Sequence, residues 1–145
     1  MLLIKNFTKQ KFDKRYLNKI TEKTLEIAKL KKSTEISLVM IGEKRIRLLN
    51  KKFRRIDKVT DVLSFGNEEA EAKFVNPPND VLYLGEIFIC QVQAKKQAKE
   101  KKHSVKKEMT ILLIHGILHL LGYDHKGDYE SSEMKILEKK ILLVL

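Results

Sequence analysis

The stretch "SVKKEMTILLIHGILHLLGYDH", Ser104 to His125, decides how the rest of the chain is read. Its apolar run suits a helix that Ser104 can cap and that reaches about Leu121, where Gly122 supplies a stop. Three of the chain's four histidines fall in its last eleven residues, among leucines and isoleucines. On a helix, His115 and His119 project from one face about a turn apart. The break at Gly122 lets the chain fold back so that His125 supplies a third nitrogen. Three neutral imidazoles with a fourth position left to water is the arrangement of catalytic zinc, whereas structural zinc is closed by protein ligands. Taken singly, each histidine reads as a satisfied core residue, with Asp124 available as a partner. Taken together, at H-x3-H-x5-H with a glycine turn before the third, they favour a metal site. His103 lies outside the pattern and reads as a surface residue in a lysine run.

The spacing is similar to that of the zincin metallopeptidases, but Gly116 stands where those enzymes carry their general-base glutamate. Metal-dependent proteolysis is therefore the weaker reading. Gly116 is expected to permit close approach of another backbone or of a substrate.

A chain of 145 residues fits one domain, spanning 1–145, that buries a core without disulfide or metal staples. Lys and Arg number 30 against 19 Asp and Glu, a net charge of +11 that suits a polyanionic partner or a well-solvated surface. Cys90 is the only cysteine, which excludes an intrachain disulfide and a CxxC metal knuckle. The N-terminal apolar run is too short for a signal peptide, and no run is long enough to span a bilayer. A cytoplasmic protein without a membrane partner is expected.

Outward from the histidine helix, "LLIKNF" (Leu2–Phe7) reads as a strand and Asp13 to Lys32 as a helix. That helix turns Tyr16, Leu17, Ile20, Ile27 and Ala28 inward, with Thr24 in the one polar slot. "EISLVMI" (Glu35–Ile41) is a strand ended by Gly42. "EKRIRLLNKKFR" (Glu43–Arg54) is helical through Ile46, Leu49 and Phe53. "TDVLSF" (Thr60–Phe65) and "VLYLGEIFIC" (Val81–Cys90) are strands, separated by a long acidic loop, Gly66 to Asp80, that holds both prolines. Gln91 to Lys102 is a basic helix. Asp128 can cap a last helix, with Glu130 and Glu133 in its first turns and Met134, Leu137, Ile141 and Leu142 inward. The reading is an α+β domain, a small mixed sheet of about four strands packed by helices, one of them the zincin-like histidine helix.

"HGILHLLGYDH" (His115–His125) resembles the signature of the YbeY family of metal-dependent endoribonucleases, which act in ribosomal RNA maturation. "FRRIDKVTDVLSF" (Phe53–Phe65) and "LGEIFIC" (Leu84–Cys90) are similar to further stretches of that family, in the same order along the chain. The resemblance implies His115, His119 and His125 as metal ligands and Arg54 as the functional arginine. Val59 and Gly66 depart from the family pattern, where prolines are common, and bear on the local path near Arg54.

Basic residues cluster between Lys44 and Lys58, eight against one acid, and between Lys95 and Lys107, seven against one. Such runs give phosphate affinity with little sequence information, or simply a solvated helix face. Arg54 differs in kind. Its guanidinium beside a metal could grip a phosphate with two donors, the alternative being an ion pair with Asp57. Glu86 faces either the cleft or solvent. Asp124 either orients a ligand histidine or shapes the turn after Gly122. Ser64 and Thr60 lack triad partners and receive no nucleophilic role.

The function that the resemblance implies is a single-strand-specific, metal-dependent endoribonuclease, acting in maturation of the 16S ribosomal RNA 3′ end and in ribosome quality control. Its expected partners are RNA and ribosomal subunits, and its cofactor is one Zn2+ per chain. Other divalent transition metals also suit three imidazoles. The rival readings are a peptidase or amidohydrolase on the same site, and a non-enzymatic ribosome-associated RNA-binding protein with a structural metal.

Overall fold

The computed structural model describes residues 1–30, 32–67, 81–123 and 132–145. Strands β1 (Leu2–Asn6), β2 (Thr34–Ile41), β3 (Val62–Gly66) and β4 (Leu82–Cys90) form one sheet in the order β1-β2-β4-β3. The first three in that order run parallel, and β3 lies antiparallel on the outer side of β4. The helices are α1 (Lys14–Ile27), α2 (Glu43–Arg54), α3 (Gln91–Glu100), α4 (Val105–Leu120) and α5 (Glu133–Leu143). This is the α+β architecture with a mixed four-stranded sheet that the sequence pattern implies.

The sheet is covered on both faces, which is why β2 alternates only in its first half and ends in the unbroken apolar run Leu38–Ile41. On one face Ile36, Leu38 and Met40 of β2 and Ile87 and Ile89 of β4 meet α1, α4 and α5. The packing residues are Leu17 and Ile20 of α1, Leu113, Ile114 and Ile117 of α4, and Met134 and Ile141 of α5. On the other face Val39, Ile41, Leu63, Phe65 and Cys90 are covered by Ile46 of α2, with Leu49 and Phe53 at the margin. Helices α4 and α2 therefore lie on opposite sides of the sheet, and only an edge strand can bring their residues together.

Two helices depart from expectation. Helix α1 ends at Ile27 rather than Lys32, because Lys29 takes a left-handed φ of 61° and the Ala28, Lys29 and Leu30 amides turn back onto the last carbonyls. Within α1 the buried Thr21 and Thr24 hydroxyls donate to the carbonyls of Leu17 and Ile20, so neither costs an unmade hydrogen bond. Helix α5 is capped by Ser132, whose Oγ accepts from the Lys135 amide at 3.2 Å, and not by Asp128. Asp128 and Glu130 lie outside the described residues, as does the acidic loop from residue 68 to 80. Among the described residues no helix is long and apolar enough to cross a membrane.

Helix α4 starts from Ser104, whose Oγ accepts from the Lys107 amide at 3.0 Å. Its first turn holds the fully buried carboxylate of Glu108, and here the expected surface position of His103 is wrong. His103 folds inward and its Nε2 lies 2.7 Å from Glu108 Oε1. Gln97 Nε2 donates to Glu108 at 3.0 Å and Lys101 Nζ at 3.2 Å. Gln97 Nε2 also reaches Asp61 Oδ2 at 2.9 Å, and Asp61 Oδ1 accepts from the Val62 amide at the start of β3. A buried charge is tolerated only when so surrounded, and this network ties the beginnings of α4 and β3 together through α3.

Burial alone would push the Glu108 carboxyl up. The hydrogen bonds from His103, Gln97 and Lys101 outweigh it and hold the group below the ordinary carboxylate range. A depressed folded-state value stabilises the fold above the unfolded-state pKa of about 4.3, and that stabilisation is lost as pH falls through the folded value. Unfolding free energy should therefore drop below about pH 4.3, and Glu108→Gln should flatten that drop. Equal acid sensitivity of the two proteins in urea titrations would show that the network is not what acid breaks.

Candidate active site at the sheet edge

Helix α4 is apolar almost all round, so it is buried between the sheet and its neighbours, and only a narrow face reaches the surface. His115 and His119 lie on that face, one turn apart, His115 half-buried and His119 exposed. The helix then stops in a Schellman turn. The Tyr123 amide donates to the Leu118 carbonyl and the Gly122 amide to the His119 carbonyl, each at 3.0 Å. Gly122 takes a φ of 94°, a conformation that costs a side-chain-bearing residue about 1–2 kcal/mol. The chain thus turns at Gly122, directly after the histidine face of α4. His125 and Asp124 themselves lie outside the described residues.

The depth of the helix is set at Gly116. A Cβ there would sit 2.8 Å from Ile87 Cγ2 on β4, so only glycine lets α4 lie this close to the sheet. The close approach is to a core side chain, not to a backbone or a substrate as the sequence suggested. Position 116 faces the sheet, so even a glutamate there would be directed into the core. The Gly116 carbonyl is also used: Ser64 Oγ of β3 donates to it at 3.2 Å. That bond gives Ser64 a structural task, consistent with the absence of a nucleophilic one.

Ser64 is the joint of the site. While its hydroxyl meets α4, its carbonyl accepts from Arg54 Nη2, at the end of α2, at 2.9 Å. The Arg54 guanidinium also lies over the Phe65 ring, 4.7 Å from its centroid. The edge strand β3 is thereby gripped from both sides. Arg54, Ser64, Gly66, His119 and Leu120 share one open cleft of about 370 Å³. Asp57, the alternative partner for Arg54, accepts instead from Arg47 Nε at 2.8 Å. Arg54 is exposed at the mouth of the cleft, where the Ser64 carbonyl and the Phe65 ring hold it.

Glu86 does not line this cleft. It projects from the same sheet face as Phe88, opposite the face on which Ile87 meets α4. The acid that does reach the histidines was not foreseen. Glu138 of α5 is buried, and its Oε2 lies 3.0 Å from His115 Nε2, with Lys135 Nζ 3.6 Å from Oε1. The signal was present in α5, because Glu138 falls on the apolar stripe between Met134 and Ile141, where a lone acid needs a partner. Among the described residues no group of three His, Cys, Asp or Glu side chains is arranged to hold a metal. Of the three histidines expected as ligands, His115 and His119 are among the described residues and His125 is not.

The basic runs divide. In the second, Lys96 pairs with Glu43 of α2 at 3.3 Å and Lys101 with Glu108, while Lys106 lies over the Tyr16 ring. In the first, α2 presents an exposed face of Lys44, Arg45, Leu48 and Lys52, and Arg45 stacks on the exposed Phe7 at 4.5 Å.

The model of the family described as Endoribonuclease YbeY matches residues 3–145. A protein named Endoribonuclease YbeY from Heliobacterium modesticaldum is 49% identical over 113 residues, covering 75% of this chain and 68% of that one. A protein of the same name from Dehalococcoides mccartyi is 39% identical over 141 residues, covering 92% of this chain and 85% of its own. The solution structure of a Thermotoga maritima protein superposes with a TM-score of 0.59 at 31% identity, covering 98% of this chain and 87% of that one.

Gly116→Ala tests the seam on which the site depends. Alanine gains about 1 kcal/mol of helix propensity over glycine, but overpacking a core costs about 1–3 kcal/mol, so a net loss of about 1 kcal/mol is expected. Ile87→Ala in the same protein removes the obstructing methyl. The double variant should be more stable than the sum of the single losses by about 0.5–3 kcal/mol. Strict additivity in denaturant titrations would mean that Gly116 does not set the helix depth.

Proposed function

The chain belongs to the YbeY family of endoribonucleases, and from that premise we propose that it cuts single-stranded RNA with a zinc ion held by His115, His119 and His125. The observation that supports this reading is the cleft itself, which places the Arg54 guanidinium in the same cavity as His119. A bound divalent ion supplies Lewis acidity and an acidified water at neutral pH. Arg54 supplies what the chain adds. Its planar donor fork suits a phosphodiester, and its charge lies where negative charge grows as phosphorus is attacked. The bond to Ser64 and the Phe65 ring hold the guanidinium in one orientation before substrate arrives, which reduces the ordering cost of binding. The single strand is accommodated because the cleft is open at the rim of an edge strand, and the basic face of α2, the helix that ends at Arg54, offers further phosphate contacts.

The substrate proposed is ribosomal RNA, with maturation of the 16S 3′ end and quality control of ribosomal subunits as the setting, in the cytoplasm. A peptidase reading is disfavoured by position 116, where a zincin base would point into the core. A purely structural metal is disfavoured by the exposure of His119 beside Arg54.

Arg54→Ala should leave the fold intact, because the side chain is exposed, while single-turnover cleavage of single-stranded RNA at saturating enzyme falls by about 10²- to 10³-fold. Lysine should restore only part of that loss, since it keeps the charge without the fork. If instead cleavage at saturation is unchanged and only affinity suffers, Arg54 belongs to the RNA-binding surface and not to the reaction.

A further inference from the structure

Glu138 is a carboxylate with almost no exposed surface, set on α5 between the buried Met134 and Ile141. Burying an ion is unfavourable unless its partners are close and well placed. Lys135, one turn earlier on the same helix, does not explain the burial, because a lysine–glutamate pair three residues apart forms as readily on a solvated helix face. A leucine at 138 would continue the apolar stripe at no such cost. Across the junction of α5 with α4 the carboxylate lies 3.0 Å from His115 Nε2, where it can accept that nitrogen's proton.

We propose that Glu138 is the positioning residue for His115, a role that rests on the metal reading above. A carboxylate only accepts, so the proton of the neutral imidazole resides on Nε2 and the lone pair is left on Nδ1. The same bond prevents the ring from rotating about its Cβ–Cγ axis. A metal-binding histidine needs both conditions, a defined tautomer and a fixed ring plane, and an acid on the second nitrogen supplies both while raising the basicity of the first. Helix α5 thus does more than cover the core. Its docking on α4 delivers an oriented ligand, and the Ser132 cap sets the register that aligns Glu138 with His115.

The test uses the full-length chain as wild type, Glu138→Gln and Glu138→Leu. Zinc affinity is measured by competition with a chromophoric chelator, and the stability of each metal-free protein by denaturant titration. Gln can still accept from Nε2–H and should weaken zinc binding by about 10-fold, and Leu by about 100-fold, although Leu leaves the metal-free protein at least as stable. Long-range proton–nitrogen NMR of the metal-free protein gives a readout that packing alone would not move. Wild type should show the Nε2–H tautomer at His115, and Glu138→Leu a mixture. Wild-type zinc affinity in both variants, an unchanged tautomer in Glu138→Leu, or a loss of affinity that only follows loss of metal-free stability would each overturn the positioning role. A wild-type protein that takes up no zinc, or His115→Ala and His119→Ala variants that retain full affinity, would overturn the metal reading instead.

Discussion

The arrangement depends on how closely α4 can approach the sheet. At Gly116 the helix lies against Ile87 with no room for a methyl group, and its carbonyl there is met by the Ser64 hydroxyl of the edge strand. Move the helix outward by the width of a side chain and three things change together. The Ser64 bond breaks, His119 leaves the cleft it shares with Arg54, and His115 is carried away from Glu138. Because Ser64 also holds Arg54 through its carbonyl, the contact couples layers on opposite faces of the sheet. The cleft exists where it does because β3 is an edge strand, short enough for α2 and α4 to meet around it.

Polar groups in the core mark the two ends of the same helix. At its start, Glu108 gathers His103, Gln97 and Lys101, and Gln97 passes the connection to Asp61 at the head of β3. Toward its end, Glu138 meets His115. Each costs desolvation that an apolar residue would avoid, so their value lies in specificity: the first fixes where β3 begins relative to α4, and the second fixes the plane of a ring. The apolar contacts of Ile114, Ile117 and Leu113 provide the burial that holds α4 down, but they do not choose its rotation as sharply.

What could be read from the sequence was whatever is periodic or local. The α4 run, the Ser104 cap, the Gly122 stop, the α2 stripe of Ile46, Leu49 and Phe53 and the β-rich segments all declare themselves within a few residues. What could not be read depends on partners distant in the chain. Glu138 lies 23 residues from His115, and its place on an apolar stripe was the only local sign of a buried partner. His103 sits among lysines and was read by its neighbours, although its partner Glu108 is only five residues on, across the helix cap. Arg54 is one of eight cations in its run, and nothing local separates it from the rest; the Ser64 carbonyl and the Phe65 ring do. The resemblance to the YbeY family pointed to Arg54, and the structure supplies the physical reason that this residue, and not Arg45 or Arg47, faces the cleft.

Removal and return of the metal tests most directly the proposal that this cleft is a metal-dependent nuclease centre. Protein stripped with a chelator and then freed of it should cleave a single-stranded RNA in single turnover at a rate reduced to the background of the His119→Ala variant. One equivalent of zinc per chain should restore the original rate. Full cleavage by the stripped protein, with no metal detected by elemental analysis, would contradict the account.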